Sequence, residues 1–169
     1  MRTRTIHDEM TYAHIVTFSC FKRRRLLDPD QAKAMVVSFL ASQLERQRGR
    51  CIGFVVMPDH VHAAVWFEET GNLSRFVQQW KRRTSIEIRR HFENHLPNYA
   101  AVLGVRDPVW QPKYHSFEVY SEKKLREKLD YMHMNPVRAG LVENPEDWRF
   151  SSAGFYLCGR SVGVPIGFD

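Results

Sequence analysis

Met57-Pro58-Asp59-His60-Val61-His62-Ala63-Ala64-Val65-Trp66 is the stretch on which the reading of this chain turns. Pro58-Asp59 has the composition of a tight turn, and the apolar run behind it reads as a buried strand, His60 to Phe67. Strand side chains alternate between faces, so His60 and His62 project from the same side. Two imidazoles side by side on a rigid strand can grip one divalent ion and leave its far side open to a substrate. Taken alone, a His-x-His pair is more often an ordinary polar strand face.

Outward from this strand the periodicities alternate. Tyr12 to Phe21 is β-rich and predicts a first strand. Asp28-Pro29 has the residue types of an N-cap and N1 pair, for a helix running to about Arg48. Cys51 to Met57 predicts a second strand, close enough to the histidine strand to form an antiparallel hairpin. Asn72 can cap a helix whose buried stripe is Leu73, Phe76, Val77, Trp80, Thr84 and Ile88. Asn94 to Pro108 reads as loop, and Val109 to Val119 as one strand or two short ones around Pro112. Ser121 caps a last helix with Leu125, Leu129 and Met132 in its core stripe, ended by Pro136 with Asn135 pushed out of the α region. The order β-α-β-β-α-β-α predicts an α+β fold: a ferredoxin-like sandwich, an antiparallel sheet with helices packed on one face.

The bulk numbers frame this reading. The chain of 169 residues, 43% hydrophobic and 26% charged, is expected to form a single domain over 1–169 with one good core. Its net charge of +6 favours a polyanionic partner, nucleic acid first. Three widely spaced cysteines without a CxxC argue against zinc ribbons and disulfide scaffolds, and suit a reducing compartment. Met1 to Glu9 is polar and charged, so no signal peptide is expected, and no run approaches the length of a membrane span. A cytoplasmic location is expected.

About seventy residues beyond the histidines, a separation ordinary within one domain, comes Asp130-Tyr131-Met132-His133-Met134-Asn135-Pro136. Tyr131 and Asn135 are four apart and share a helical face, whereas His133 points elsewhere. The chemistry this suggests is a metal held by His60, His62 and the amide oxygen of Asn135, with Mg²⁺ or Mn²⁺ the suitable ions. Tyr131 would be the nucleophile. Phenols ionise only near pH 10, and a metal that neutralises phosphate charge helps such a group to attack. Lys124 and Lys128, on or near the face of Tyr131, are candidates to favour phenolate and to hold a DNA backbone. The plainer readings are a packed aromatic for Tyr131, a helix stop for Asn135-Pro136 and solvated lysines.

Further DNA contacts are sought in the basic loop Lys22, Arg23, Arg24 and Arg25, and on the basic face of the second helix, including Arg75, Lys81, Arg82 and Arg83. Trp110 and Tyr114 lie in a polar, proline-containing stretch and are candidates for stacking on bases. Trp80 sits in an apolar stripe and reads as core.

Pro58-Asp59-His60-Val61-His62 resembles the His-hydrophobe-His motif of single-strand DNA transposases that use one tyrosine. Val109-Trp110-Gln111-Pro112, the run from Asp130 to Val142, and Pro145-Glu146-Asp147-Trp148-Arg149-Phe150-Ser151-Ser152 resemble the subgroup of REP-associated tyrosine transposases. The resemblance spans roughly residues 12–155, nearly a whole domain by usual size. It implies metal ligands at His60, His62 and Asn135 and the nucleophile at Tyr131. It also implies cleavage and rejoining of hairpin-bearing single-stranded DNA at repeated extragenic palindromes, through a 5′-phosphotyrosine, by a monomer or homodimer associated with the nucleoid. Two other functions compete: a catalytically silent module that binds hairpin DNA or RNA, and a metal-dependent hydrolase of small phosphate compounds. The basic surplus and the lack of a glycine-rich phosphate loop weigh against the hydrolase.

Overall fold

The alternation in β1, Ala13–Ser19, sorts its side chains onto two faces. Val16 and Phe18 enter one apolar cluster, and Ala13 and Ile15 enter another. The computed structural model describes residues 12–167; the polar stretch from Met1 to Glu9 lies outside them. After β1 come α1 (Asp30–Arg46), β2 (Gly49–Val56), β3 (His60–Phe67), α2 (Leu73–His95), α3 (Pro97–Leu103), β4 (His115–Val119), α4 (Glu122–His133), α5 (Asn135–Arg138) and α6 (Ala153–Cys158). The four strands form one antiparallel sheet in the order β2-β3-β1-β4, the ferredoxin-like arrangement that the element order predicts.

The two long helices share one face. Val36 and Leu40 of α1 and Phe76 and Trp80 of α2 pack with Val16, Phe54, Val61 and Val65. The other face is only partly covered. There Leu125, Leu129 and Met132 of α4 pack on Ile15, Ile52, Val55 and Ala64. The helix that carries Tyr131 is thus an addition on the side opposite α1 and α2. Its seat depends on Gly53, where a β-carbon would lie 2.3 Å from Cδ2 of Leu129. The outer edge of β2 is closed by the C-terminal segment, through bridges from Val55 to Ser151 and from Cys51 to Ile166.

Several local expectations are corrected. Asp28 does not cap α1; its carboxylate is taken by Arg25, and the helix starts one residue after Pro29. The segment from Asn94 to Pro108 is not all loop, because Pro97 opens α3. Pro136 ends the hydrogen-bond ladder of α4, yet Asn135 is not expelled from helical conformation. It begins α5, where a proline in the first turn lacks only a donor that has no partner there anyway. Ser121 caps α4 as expected, accepting from the Lys124 amide at 3.1 Å.

Candidate active site

His60 and His62 stand on the same face of β3 as α4, with ring centroids 4.8 Å apart and planes nearly perpendicular. Each has its Nδ1 engaged. His60 Nδ1 lies 2.7 Å from Asp59 Oδ1, and His62 Nδ1 lies 2.7 Å from Thr17 Oγ1 on the neighbouring strand. Held through Nδ1, each ring keeps Nε2 for other work, the arrangement in which a carboxylate or hydroxyl orients a metal-ligating histidine. Burial lowers the pKa of His60, with Asp59 opposing. Burial pushes His62 down to about 4, and the charges of His60, Arg23 and Arg138 add to the effect. Both imidazoles are therefore neutral near pH 7, the form that ligates metals.

Behind Asp59 stands Arg23. Its Nε donates to Asp59 Oδ2 at 3.1 Å and its Nη1 to Ser19 Oγ at 3.0 Å. Lys22 and Arg23 both have positive φ, 54° and 55°. Two successive non-glycine residues in that region are strained, and such strain gathers at functional sites. Arg23 is thus tied into the histidine site.

Asn135 arrives from the end of α4. Its amide nitrogen lies 3.3 Å from His60 Nε2, and a half-turn of the amide presents its oxygen to the same place. Among the described residues no group of three His, Cys, Asp or Glu side chains could hold a metal ion. A three-donor site at the histidines therefore has to use the amide. The donor set of two neutral imidazoles and one amide oxygen fits a divalent ion with open positions.

Tyr131, one turn before Asn135, is 64% exposed, so its hydroxyl is open to a large substrate. The Arg138 guanidinium stacks 3.8 Å from its ring centre and donates to its carbonyl at 2.7 Å. Sequence reasoning missed Arg138, although it lies two helical turns after Tyr131. It also missed the roles of Asp59, the residue just before His60, and of Thr17, which the pairing of β1 with β3 sets beside His62.

The remaining candidates are dispersed. Arg24 pairs with Asp107 at 2.7 Å, and Arg25 grips Asp28 through two bonds. Lys22 is exposed at the strained turn, its ammonium 5.4 Å from the Phe21 ring. Arg75 and Arg83 line a polar groove with Arg46 between α1 and α2, and Arg82 is exposed beside them. All lie on the helical layer behind the sheet, away from the histidines. Lys81 is turned inward and donates to the Gln111 carbonyl at 2.6 Å. Trp110 is no stacking platform: it is buried, donates to Thr84 Oγ1 at 2.9 Å and meets the Phe18 ring edge-on. Lys124 pairs with Glu127, and Lys128 rests 5.2 Å from the ring of Phe117, on the site side of the sheet. His133 is buried against Ser152, away from Tyr131, as helical geometry predicts.

A strand-borne histidine pair faced by a helix-borne tyrosine and asparagine is the class of site this fold builds. The model of the family described as "Transposase IS200 like" matches residues 8–135, and the chain belongs to that family. The chain is 29% identical over 99 residues to the REP-associated tyrosine transposase of Escherichia coli K12, covering 59% of this chain and 51% of that protein. It is 26% identical over 106 residues to a Haemophilus influenzae relative, covering 60% and 57%. The match thus spans little more than half the length of these relatives. The structure of a REP-associated tyrosine transposase bound to a REP hairpin superposes with a TM-score of 0.66 at 20% identity, over 93% of this chain and 86% of that one, a likeness of fold. No helix among the described residues is long and apolar enough to cross a membrane.

Proposed function

We propose that this chain is a metal-dependent single-strand DNA endonuclease and strand transferase that acts on hairpin-forming, repeated palindromic DNA. The observation that carries the reading is the approach of Asn135 to His60, which joins the end of the tyrosine helix to the histidine strand. The hairpin substrate class is supported by the hairpin-bound relative that shares the fold.

His60, His62 and Asn135 would hold the ion, with Mg²⁺ or Mn²⁺ suited to the donors. Such an ion neutralises charge on a scissile phosphate. Asp59 and Thr17 keep the two rings oriented, so no reorganisation is needed when the substrate arrives. Tyr131 Oη attacks the phosphorus. A P–Oη bond forms as the P–O3′ bond breaks, leaving a 5′-phosphotyrosine and a 3′-oxygen that takes up a proton. The phosphotyrosine conserves the bond energy, and a 3′-hydroxyl can attack it in reverse to join strands. Arg138 holds the Tyr131 ring and places a positive charge beside it.

The test is a denaturing gel of a labelled single-stranded hairpin with protein and Mn²⁺. A protein-linked 5′ fragment is expected. A shifted native band with no cleavage would point to a silent binding module instead.

A further inference from the structure

We infer that His91 and His95, at the end of α2, form a metal site separate from the β3 pair, one that takes a borderline divalent cation, Zn²⁺ first among them. The site does not depend on whether the chain cuts DNA. The two residues are four apart, so their side chains are neighbours on one face of the helix. Their ring centroids are 5.2 Å apart and their planes are tilted by 43°. His91 is half-buried and His95 exposed. Among the described residues, none hydrogen-bonds to either ring. His60, His62 and His133, by contrast, each have a ring nitrogen already engaged.

The spacing suits a tetrahedral ion. An imidazole nitrogen binds Zn²⁺ at about 2.0–2.1 Å, which places the ion roughly 3.2 Å from the ring centre. With one nitrogen of each ring on the ion, centres 5.2 Å apart subtend about 110° there, close to the tetrahedral angle. Imidazole suits Zn²⁺, Cu²⁺ and Ni²⁺, whereas oxygen donors suit Mg²⁺ and Mn²⁺. This all-nitrogen pair therefore differs in preference from the β3 pair, which has the Asn135 amide beside it. His95 is the last residue of α2, and the negative end of a helix favours a cation. The nearby guanidinium groups are engaged elsewhere. Arg90 pairs with Glu87 at 3.0 Å, and Arg89 donates to the carbonyls of Gly104 and Asp107.

The site binds and does not hydrolyse. Two histidines at this spacing carry zinc in metalloprotease helices, where a glutamate next to one of them is the general base. Here the residues next to the histidines on the inner side of the pair are Phe92, which is buried, and Asn94. Glu93 is two residues from each histidine, so it projects from the other side of the helix. Among the described residues no third His, Cys, Asp or Glu joins the pair, so water fills the remaining positions. The ion would link the last two turns of α2 and keep the helix end wound where it passes through Leu96 into α3.

Titration of Zn²⁺ into the full chain, in competition with a chromophoric chelator, tests this. His91→Ala and His95→Ala should each weaken one equivalent of bound Zn²⁺ by about 100-fold, the scale gained when two ligands are linked. The same equivalent should survive His60→Ala and Cys158→Ser, which assigns it neither to the β3 pair nor to the exposed thiol. Neither His91 nor His95 belongs to an apolar cluster, so their variants are expected to melt as the wild type does without metal. Adding Glu93→His to the His95→Ala chain keeps the number of histidines but moves the second ring round the helix, and it should not restore binding. If the wild type binds no more Zn²⁺ than the His91→Ala chain, if either single variant keeps the full affinity, or if Glu93→His restores it, the site is overturned.

Discussion

Gly53 on β2 and Leu129 on α4 touch so closely that no other residue fits at position 53 without movement: its β-carbon would lie 2.3 Å from Leu129 Cδ2 and 3.0 Å from Ser152 Oγ. This contact sets the height of α4 above the sheet, and therefore where Tyr131 and Asn135 stand relative to the histidines. Gly53→Ala is expected to lower stability by about 1–3 kcal/mol, the usual cost of overpacking. It should also reduce cleavage in the protein that remains folded. Thermal melts beside single-turnover assays check both; a variant with wild-type melting and cleavage would mean α4 is not seated by this contact.

Tyr131→Phe removes one hydroxyl and leaves the ring against Arg138. The covalent adduct and all strand transfer should vanish with no change in melting. Tyr114→Phe is the control and should keep the adduct. Asn135→Ala should slow the reaction and be partly restored by more Mn²⁺, since two histidines remain. An adduct formed by Tyr131→Phe and lost in Tyr114→Phe would move the nucleophile to the other tyrosine.

Asp59→Ala leaves His60 Nδ1 without its partner and Arg23 with Ser19 alone. Partners of this kind are worth about 10–100-fold in metal affinity. Titration of Mn²⁺ followed by electron paramagnetic resonance, without DNA, should show that loss. Unaltered Mn²⁺ affinity would count against a metal at His60.

His133 gives the fold a pH dependence. It is 7% exposed and burial pushes its pKa down to about 4. An unfolded histidine titrates near 6.5. Between these values the unfolded chain binds more protons, so stability is whole above about pH 6.5 and falls as pH drops toward 4. The full effect is up to about 3 kcal/mol. Denaturant melts in EDTA should show this slope and His133→Gln should flatten it, the remainder coming from His62, which also sits near 4, and from His14 and His60, which burial lowers as well. An equal slope in the variant would contradict the assignment.

Salt reads the basic groove. If Arg75 and Arg83 contact phosphates, Arg75→Ala and Arg83→Ala should each reduce the salt slope of DNA binding by roughly one and weaken all sequences alike. A loss confined to certain sequences would assign them to base recognition.

The histidine pair was legible because alternation along a strand needs no tertiary knowledge, and the Tyr131–Asn135 face because helical spacing is equally local. Trp110 was misread for the opposite reason. Its neighbours within the chain are polar, and its burial comes from Thr84 and Phe18, far off in sequence. Arg24 and Arg25 look like phosphate ligands until Asp107 and Asp28 are seen beside them. The short helix α3 escaped notice because seven residues opened by a proline carry little periodicity. That α4 lies across the sheet from α1 and α2 could not be read from a pattern that shows only that each helix has an apolar side.

If a nucleic acid engages both Tyr131 and the arginine groove, the layering sets its minimum length. The tyrosine stands on one side of the sheet and the arginine groove on the other, with a strand layer and a helix layer between, each layer spacing on the order of 10 Å. One edge of the sheet is sealed by the C-terminal segment. A strand engaging both sides has to go round the sheet, past the β4 edge or past the strand ends. Oligonucleotides too short for that detour would be cut without feeling the groove, and the length at which the groove variants begin to matter would measure the path as a ruler does.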